Sequence, residues 1–240
     1  MLHYALNLDM VTLPEDIAAW PAPLSLAVAL NEVVLIEGVG PAAGDSLLNV
    51  AATLASPEAG SATHWGRNAA ALTREEFFRL RRRIALISPR QVLLHRLSLG
   101  ENIALGPCYH LGYTETAALA AHAGLLEHLN LQAHLDRFPA QVSAAVYARA
   151  AWARELVKGP ELILAVISGY LAATGEAAAL ATVLRDSLAG SGAAALLLGE
   201  SLEPFYSLGH RLLGLESGQL RPRPLLGHRA RPLTAYLPLV

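Results

Sequence analysis

The sequence predicts one α/β domain, because short apolar runs alternate with helical segments along most of its 240 residues. The clearest apolar runs lie at 33–36, 84–87, 162–165 and 193–198, and each is short enough to be a buried strand. Between them lie charged or alanine-rich stretches of helical character. A chain of this length is ample for a sizeable hydrophobic core.

The stretch Val33–Leu48, VVLIEGVGPAAGDSLL, carries the most functional information. An apolar strand runs into a glycine-rich loop, and a helix is expected to begin at Ser46. The loop residues are Gly38, Gly40, Pro41 and Gly44. This order is typical of a phosphate-binding loop, in which backbone N–H groups and a helix N-terminus hold an anion. The motif also requires a lysine and then a serine or threonine after its last glycine, whereas Asp45 follows here.

The remaining elements are predicted from local patterns. Strand-like pieces are expected at 4–8, 11–13 and 24–30, helices at 72–83, 114–131 and 176–188, and helix followed by loop over 51–65. Thr73, followed by Glu75 and Glu76, forms a capping pattern at the start of its helix. Trp20 is expected to be a packing residue.

The composition excludes several classes of protein. With 18 Lys and Arg against 20 Asp and Glu the chain is nearly neutral, so no broad basic surface for nucleic acid is expected. A hydrophobic content of 53% and a mean hydropathy of +0.37 indicate either an apolar surface for a partner or simply an alanine- and leucine-rich chain. No apolar run reaches the roughly 18–20 residues of a membrane span, and MLHYALNLDM lacks the features of a secretory signal. A single cysteine, Cys108, excludes an internal disulfide and fits a reducing, cytoplasmic compartment.

Two further segments carry a family resemblance. Residues 84–105, IALISPRQVLLHRLSLGENIAL, and 139–164, PAQVSAAVYARAAWARELVKGPELIL, resemble patterns of the nucleotide-binding subunits of ABC transporters. The resemblance covers roughly residues 23–220. It implies a P-loop NTPase-like ABC ATPase fold, with a mixed parallel core sheet, an antiparallel N-terminal β-subdomain and a helical subdomain. The implied organisation is an ABC ATPase-like domain over 1–220, a helical subdomain inserted at about 89–158, and a proline-rich tail over 221–240.

The same alignment replaces most residues that do chemistry in the family. In the phosphate-binding loop Gly38 keeps the family's first glycine, but the family's lysine, serine and threonine are replaced by Gly44, Asp45 and Ser46. The family's glutamine is replaced by Pro89, and its histidine by Glu200. Its two carboxylates are replaced by Val166 and Ile167. The signature LSGGQ becomes Val142–Val146, in which Ser143 is kept. The resemblance therefore implies a chain that is not an enzyme, with no catalytic residue, no metal site, and no bound ATP or Mg²⁺.

Ser143 and the acidic residues leave alternatives open. Ser143 is either the N-cap of its own helix or a contribution in trans to a partner's nucleotide. Asp45 would repel a charge about 4 Å away by roughly 1 kcal/mol in water and about 4 kcal/mol at an intermediate dielectric. We hypothesise that Asp45 caps its own helix and fills the place of a phosphate. Alternatively, Glu37, Asp45 and Glu200 converge on a cation such as Ca²⁺ or Mg²⁺.

The resemblance also implies partners. A transmembrane permease subunit would dock in a groove at Pro89, Arg90 and Gln91. The chain would form a homodimer, or a heterodimer with a competent ABC ATPase, on the cytoplasmic face of the inner membrane. The leading hypothesis is a structural or regulatory subunit of a transport complex. The alternative is half of a heterodimeric ATPase whose partner hydrolyses ATP with Ser143 in trans. The sequence ARAAWAR is slightly closer to that of the lipid-trafficking Mce/Mla-type branch than to those of other branches.

Overall fold

The structure is a computed structural model that describes residues 3–14, 20–21 and 23–225. The region around Glu15 and Asp16, where the resemblance places an adenine-stacking aromatic, lies outside the described residues. So does most of the proline-rich tail, from residue 226 onward.

Strands and helices alternate over the described ranges as the apolar runs predict. The strands are β1 Tyr4–Thr12, β2 Leu24–Ala29, β3 Val33–Glu37, β4 Ala59–His64, β5 Arg67–Asn68, β6 Ile84–Ile87, β7 Leu162–Ile167, β8 Ala194–Gly199, β9 Arg211–Glu216 and β10 Gln219–Arg223. The helices are α1 Pro41–Ala51, α2 Arg74–Arg82, α3 Leu99–Leu111, α4 Glu115–Ala121, α5 Ala123–His128, α6 Ala144–Leu156, α7 Gly169–Ala173 and α8 Glu176–Ser191. None of the helices in these ranges is long and apolar enough to cross a membrane.

Two sheets organise the fold. The core sheet has the order β10-β9-β3-β8-β7-β6, in which only the β9–β10 pair is antiparallel. The second sheet, β2-β1-β4-β5, is antiparallel throughout. This arrangement confirms the predicted mixed core sheet and the antiparallel N-terminal sheet.

The central strands are covered on both faces. Every residue of β3, β7 and β8 is buried, as expected for parallel strands between two layers. Along β3, Val34 and Ile36 face the layer that contains α1 and the antiparallel sheet. Val33 and Leu35 face the opposite layer, which contains α6 and α8. Because successive side chains of a strand point to opposite faces of the sheet, this single apolar run contributes to both hydrophobic cores.

Local capping patterns set several helix ends. Thr73 and Glu76 form a complete capping box at the start of α2, which confirms the predicted pattern. Ser98 and Glu101 form the same box at α3, a helix that was not predicted from its sequence. The predicted helix over 114–131 is divided into α4 and α5 at His122, whose backbone is not helical.

Two boundaries around the phosphate-like loop differ from the prediction. Helix α1 begins at Pro41 rather than Ser46, because proline at the first helical position loses no hydrogen bond and has a suitable φ. Residues 51–65 are not simply helix and loop, since they include the whole of β4. The β4–β5 turn is formed by Trp65 and Gly66, both with positive φ, as a two-residue hairpin requires.

Candidate functional site

Gly38 starts the loop that joins β3 to α1. Its φ is +78°, and a Cβ atom there would lie 2.8 Å from the backbone oxygen of Leu215. The loop is fastened to the end of β8, because the Gly38 and Val39 amides donate to the carbonyls of Glu200 and Gly199. Only glycine satisfies both the conformation and the close approach, so the first glycine of the motif has a structural cause.

The N-terminus of α1 follows immediately. Gly40 is the N-cap residue in an extended conformation, and no side chain caps the first-turn amides or adds an acidic charge among them. These amides and the helix dipole therefore offer a site for an anion. One turn further, Gly44 packs against Val166, where an added Cβ would lie 2.9 Å from the valine Cγ2. A longer side chain at this position requires Val166 to move.

Asp45 lies within α1, and its side chain is buried. Its Oδ1 accepts a hydrogen bond of 2.6 Å from the Ser88 hydroxyl, and its Oδ2 lies 3.0 Å from Nε of Arg90. The hypothesis that Asp45 caps its own helix is wrong, because the helix begins at Pro41 and Gly40 is the N-cap. Asp45 instead joins α1 to the turn that follows β6.

That turn contains the three residues predicted to form a docking groove. Pro89 and Arg90 are exposed, and the backbone N–H of Gln91 closes the turn by donating to the Ser88 carbonyl at 3.0 Å. The side-chain oxygen of Gln91 and the hydroxyl of Ser46 are buried and have no hydrogen-bond partner among the described residues. Ser88 was not predicted from the sequence to be a site residue. Its position directly after a core strand and next to Pro89 could have indicated such a role.

Ser143 is exposed and forms the N-cap of α6, where its Oγ accepts a hydrogen bond from the Val146 amide at 3.3 Å. Ser143 is therefore an N-cap, and whether it also contributes in trans stays a prediction. The helix is held to α8 by a bidentate ion pair between Arg149 and Glu176, with both N–O distances at 2.7 Å. The ion pair raises the pKa of Arg149. The pair itself was not predicted from the sequence.

The positions of the family's two carboxylates are the last residues of β7. Val166 and Ile167 are both buried and belong to opposite faces of the sheet. Glu200 is exposed beyond β8. Glu37 is buried, where its carboxylate accepts from the Leu202 amide and the Tyr206 hydroxyl and pairs with Arg223.

These contacts do not bring Glu37, Asp45 and Glu200 together. In the described part of the chain, no group of three or more His, Cys, Asp or Glu residues is arranged to hold a metal ion. The predicted cation site is therefore not formed. Glu37 instead anchors its neighbours, and its hydrogen bond raises the pKa of Tyr206 to about 12.

A nucleoside triphosphate with Mg²⁺ needs N–H donors for its phosphates and oxygen ligands for the metal. The uncapped start of α1 supplies such donors. Asp45 and Ser88 are oxygen groups of the kind that Mg²⁺ binds, but they are paired with each other and with Arg90. The backbone donors thus fit the phosphates, whereas the oxygen groups that could contact a metal are engaged with each other and with Arg90.

Comparisons with known proteins agree with this geometry. No family model matches the sequence. The chain is 35% identical over 143 residues to macrolide export ATP-binding/permease protein MacB 1 of Aeromonas hydrophila, covering 59% of the chain and 22% of that protein. It is 30% identical over 211 residues to molybdenum import ATP-binding protein ModC of Mycobacterium tuberculosis, covering 82% and 54%. The chain thus spans about a fifth to a half of the length of these curated relatives.

Solved structures show the same fold. A dimeric ATP-binding cassette in a post-hydrolysis state, bound to ADP and Pi, superposes with a TM-score of 0.77. The match covers 93% of this chain and 100% of that one, at 21% identity.

The comparisons correct two expectations from the sequence. The relatives are named ATP-binding proteins, so the expectation that the chain is not an enzyme is wrong, as is the expectation of no ATP and Mg²⁺. The physical reason is that the prediction gave most weight to the lost side chains, whereas the remaining backbone amides at a helix N-terminus can bind phosphate without them. In sequence and in fold the chain is therefore similar to the ATP-binding domains of ABC transporters.

Proposed function

We propose that the chain is an ATP-binding subunit of a membrane transport complex and that it works as a dimer at the cytoplasmic face of the inner membrane. In this arrangement a nucleotide lies between the start of α1 in one subunit and the Ser143 segment of the other. The observation that carries the proposal is that both helix N-termini are preserved in an intact fold. One is uncapped, and the other presents an exposed serine hydroxyl.

We further propose that the second subunit is a different ABC ATPase. Val166 and Ile167 are buried and apolar, so this chain offers no carboxylate at these positions to activate water. A partner with its own lysine and carboxylates would supply them, while this chain contributes Ser143 in trans. Activity then belongs to the complex of the two subunits.

The permease would contact the turn at Pro89, Arg90 and Gln91, at the start of the helical subdomain that we assign to about 89–158. The exposed apolar side chains of Val92 and Leu94 directly follow this turn and support a protein contact there. The near-neutral charge of the chain gives no support to a nucleic-acid partner. That the chain belongs to the Mce/Mla-type branch of transporters stays a prediction from the sequence of α6.

A pair of matched variants tests the role of Ser143. Ser143 and Thr114 are both exposed N-caps whose side-chain oxygen accepts from an amide three residues later. Each change to alanine should therefore lower the free energy of unfolding by about 1 kcal/mol. Only Ser143→Ala should lower ATP turnover, measured on the purified chain together with its co-purified subunits. Equal turnover in the two variants would refute the contribution in trans, and a complex without Mg-ATP binding in calorimetry would refute the function itself.

A further inference from the structure

A cleft of about 700 Å³ lies between the carboxyl ends of β6 and β7 and one side of α6. Its walls include Ile87, Val166, Tyr147, Trp152 and Leu171. Clefts of this size with apolar and aromatic walls are typical small-molecule sites. The carboxyl ends of parallel strands are also where α/β folds bind ligands.

The chemistry of the lining limits what the cleft accepts. None of the described residues that line it carries a charge. Moving a charged group from water into such a lining is costly unless a partner charge compensates it. An anion such as a triphosphate, and equally a cation, is therefore a poor occupant. The apolar walls favour an uncharged molecule with aromatic or aliphatic surface.

We propose that this cleft binds an uncharged aromatic small molecule. The site goes beyond the nucleotide function, because its lining excludes the charge that a nucleotide carries. Its walls come from the core sheet on one side and from α6 on the other, so an occupant contacts both.

Two probes with the same ring system test the charge selection. N-phenyl-1-naphthylamine is uncharged and carries one N–H donor, whereas 1-anilinonaphthalene-8-sulfonate adds a sulfonate. The uncharged probe should show saturable fluorescence enhancement, with energy transfer from tryptophan that Trp152→Phe reduces. The sulfonate should bind at least about tenfold more weakly. Equal affinity for both probes would overturn the proposal.

Matched variants locate the binding. Ala148 lines the cleft on α6, and Ala148→Leu should weaken the uncharged probe by about tenfold. Ala178 is exposed on α8 and does not line the cleft, so Ala178→Leu should leave the affinity unchanged. Ala144→Leu at the exposed rim gives a second blocking variant should Ala148→Leu fail to fold. Wild-type affinity in a folded blocking variant would refute the location.

Discussion

Replacing Glu37 by leucine should strongly destabilise the fold, because this buried carboxylate joins three separate elements. Glu37 ends β3, and its side chain is 7% exposed. Its oxygens lie 2.9 Å from the Leu202 amide, 2.6 Å from the Tyr206 hydroxyl and 3.2 Å from Arg223. The carboxylate thus ties the start of the phosphate-like loop to the segment after β8 and to β10.

The expected magnitude follows from these contacts. Each hydrogen bond to a charged group contributes about 1.5–3 kcal/mol, but Tyr206 and Arg223 are partly exposed and recover some hydration. Glu37→Leu leaves the buried Leu202 amide without an acceptor, which costs about 1–3 kcal/mol, and the lost contacts to Tyr206 and Arg223 raise the total to about 3–5 kcal/mol. We therefore expect Glu37→Leu to lower the free energy of unfolding by that amount, measured by urea denaturation followed by circular dichroism.

Two control variants separate the partners. Arg223→Ala should cost only about 1 kcal/mol, because the guanidinium is 38% exposed and the other two donors remain on Glu37. Tyr206→Phe should also cost about 1 kcal/mol. The pKa of Tyr206 is raised from 10.0 to about 12, so its stabilisation is complete below pH 10 and is lost as pH rises toward 12. A smaller loss in Glu37→Leu than in Arg223→Ala would refute the anchoring role.

Three other variants give sharp outcomes. Arg90→Gln frees the Asp45 carboxylate, and since an exposed ion pair contributes under about 1 kcal/mol, it should raise Mg-ATP affinity by up to about fivefold in calorimetry. An unchanged affinity, or a gain that persists without Mg²⁺, would contradict this role. Burial lowers the pKa of His64 below 6.5, so the unfolded chain takes up a proton first and stability should fall as pH drops below 6.5. Thermal melting of His64→Gln should show a flatter profile between about pH 5 and 7, and an unchanged profile would count against it. Glu176→Ala leaves Arg149 unpaired beside α8 and should cost about 3 kcal/mol in urea, with less than additive loss in the double alanine variant.

Much of the fold was predictable because its determinants are local. The four apolar runs that predict core strands all form β-structure, since a short, fully apolar segment suits a strand that is covered on both faces. Thr73 and Glu76 stand three residues apart, so their capping box is visible in the sequence. Trp20 was predicted to pack, and it is buried with its Nε1 donating to the Ala43 carbonyl.

The start of α1 was less predictable, because proline and glycine are compatible with both a loop and a first helical turn. The prediction therefore placed the helix at Ser46 and gave Asp45 a capping role. The hairpin after α1 was missed for a related reason, since β4 has few apolar residues and alternates weakly.

By itself, the sequence determined the core strands, several of the helices and the identity of the side chains at each position of the phosphate-like loop. Only the tertiary structure decided what those side chains contact. Asp45 meets Ser88 across 43 residues of chain, and Gly44 meets Val166 from a different strand. The uncharged cleft likewise combines segments that are distant in sequence. Periodicity and capping depend on neighbours along the chain, whereas a site depends on which distant residues the sheet order brings together.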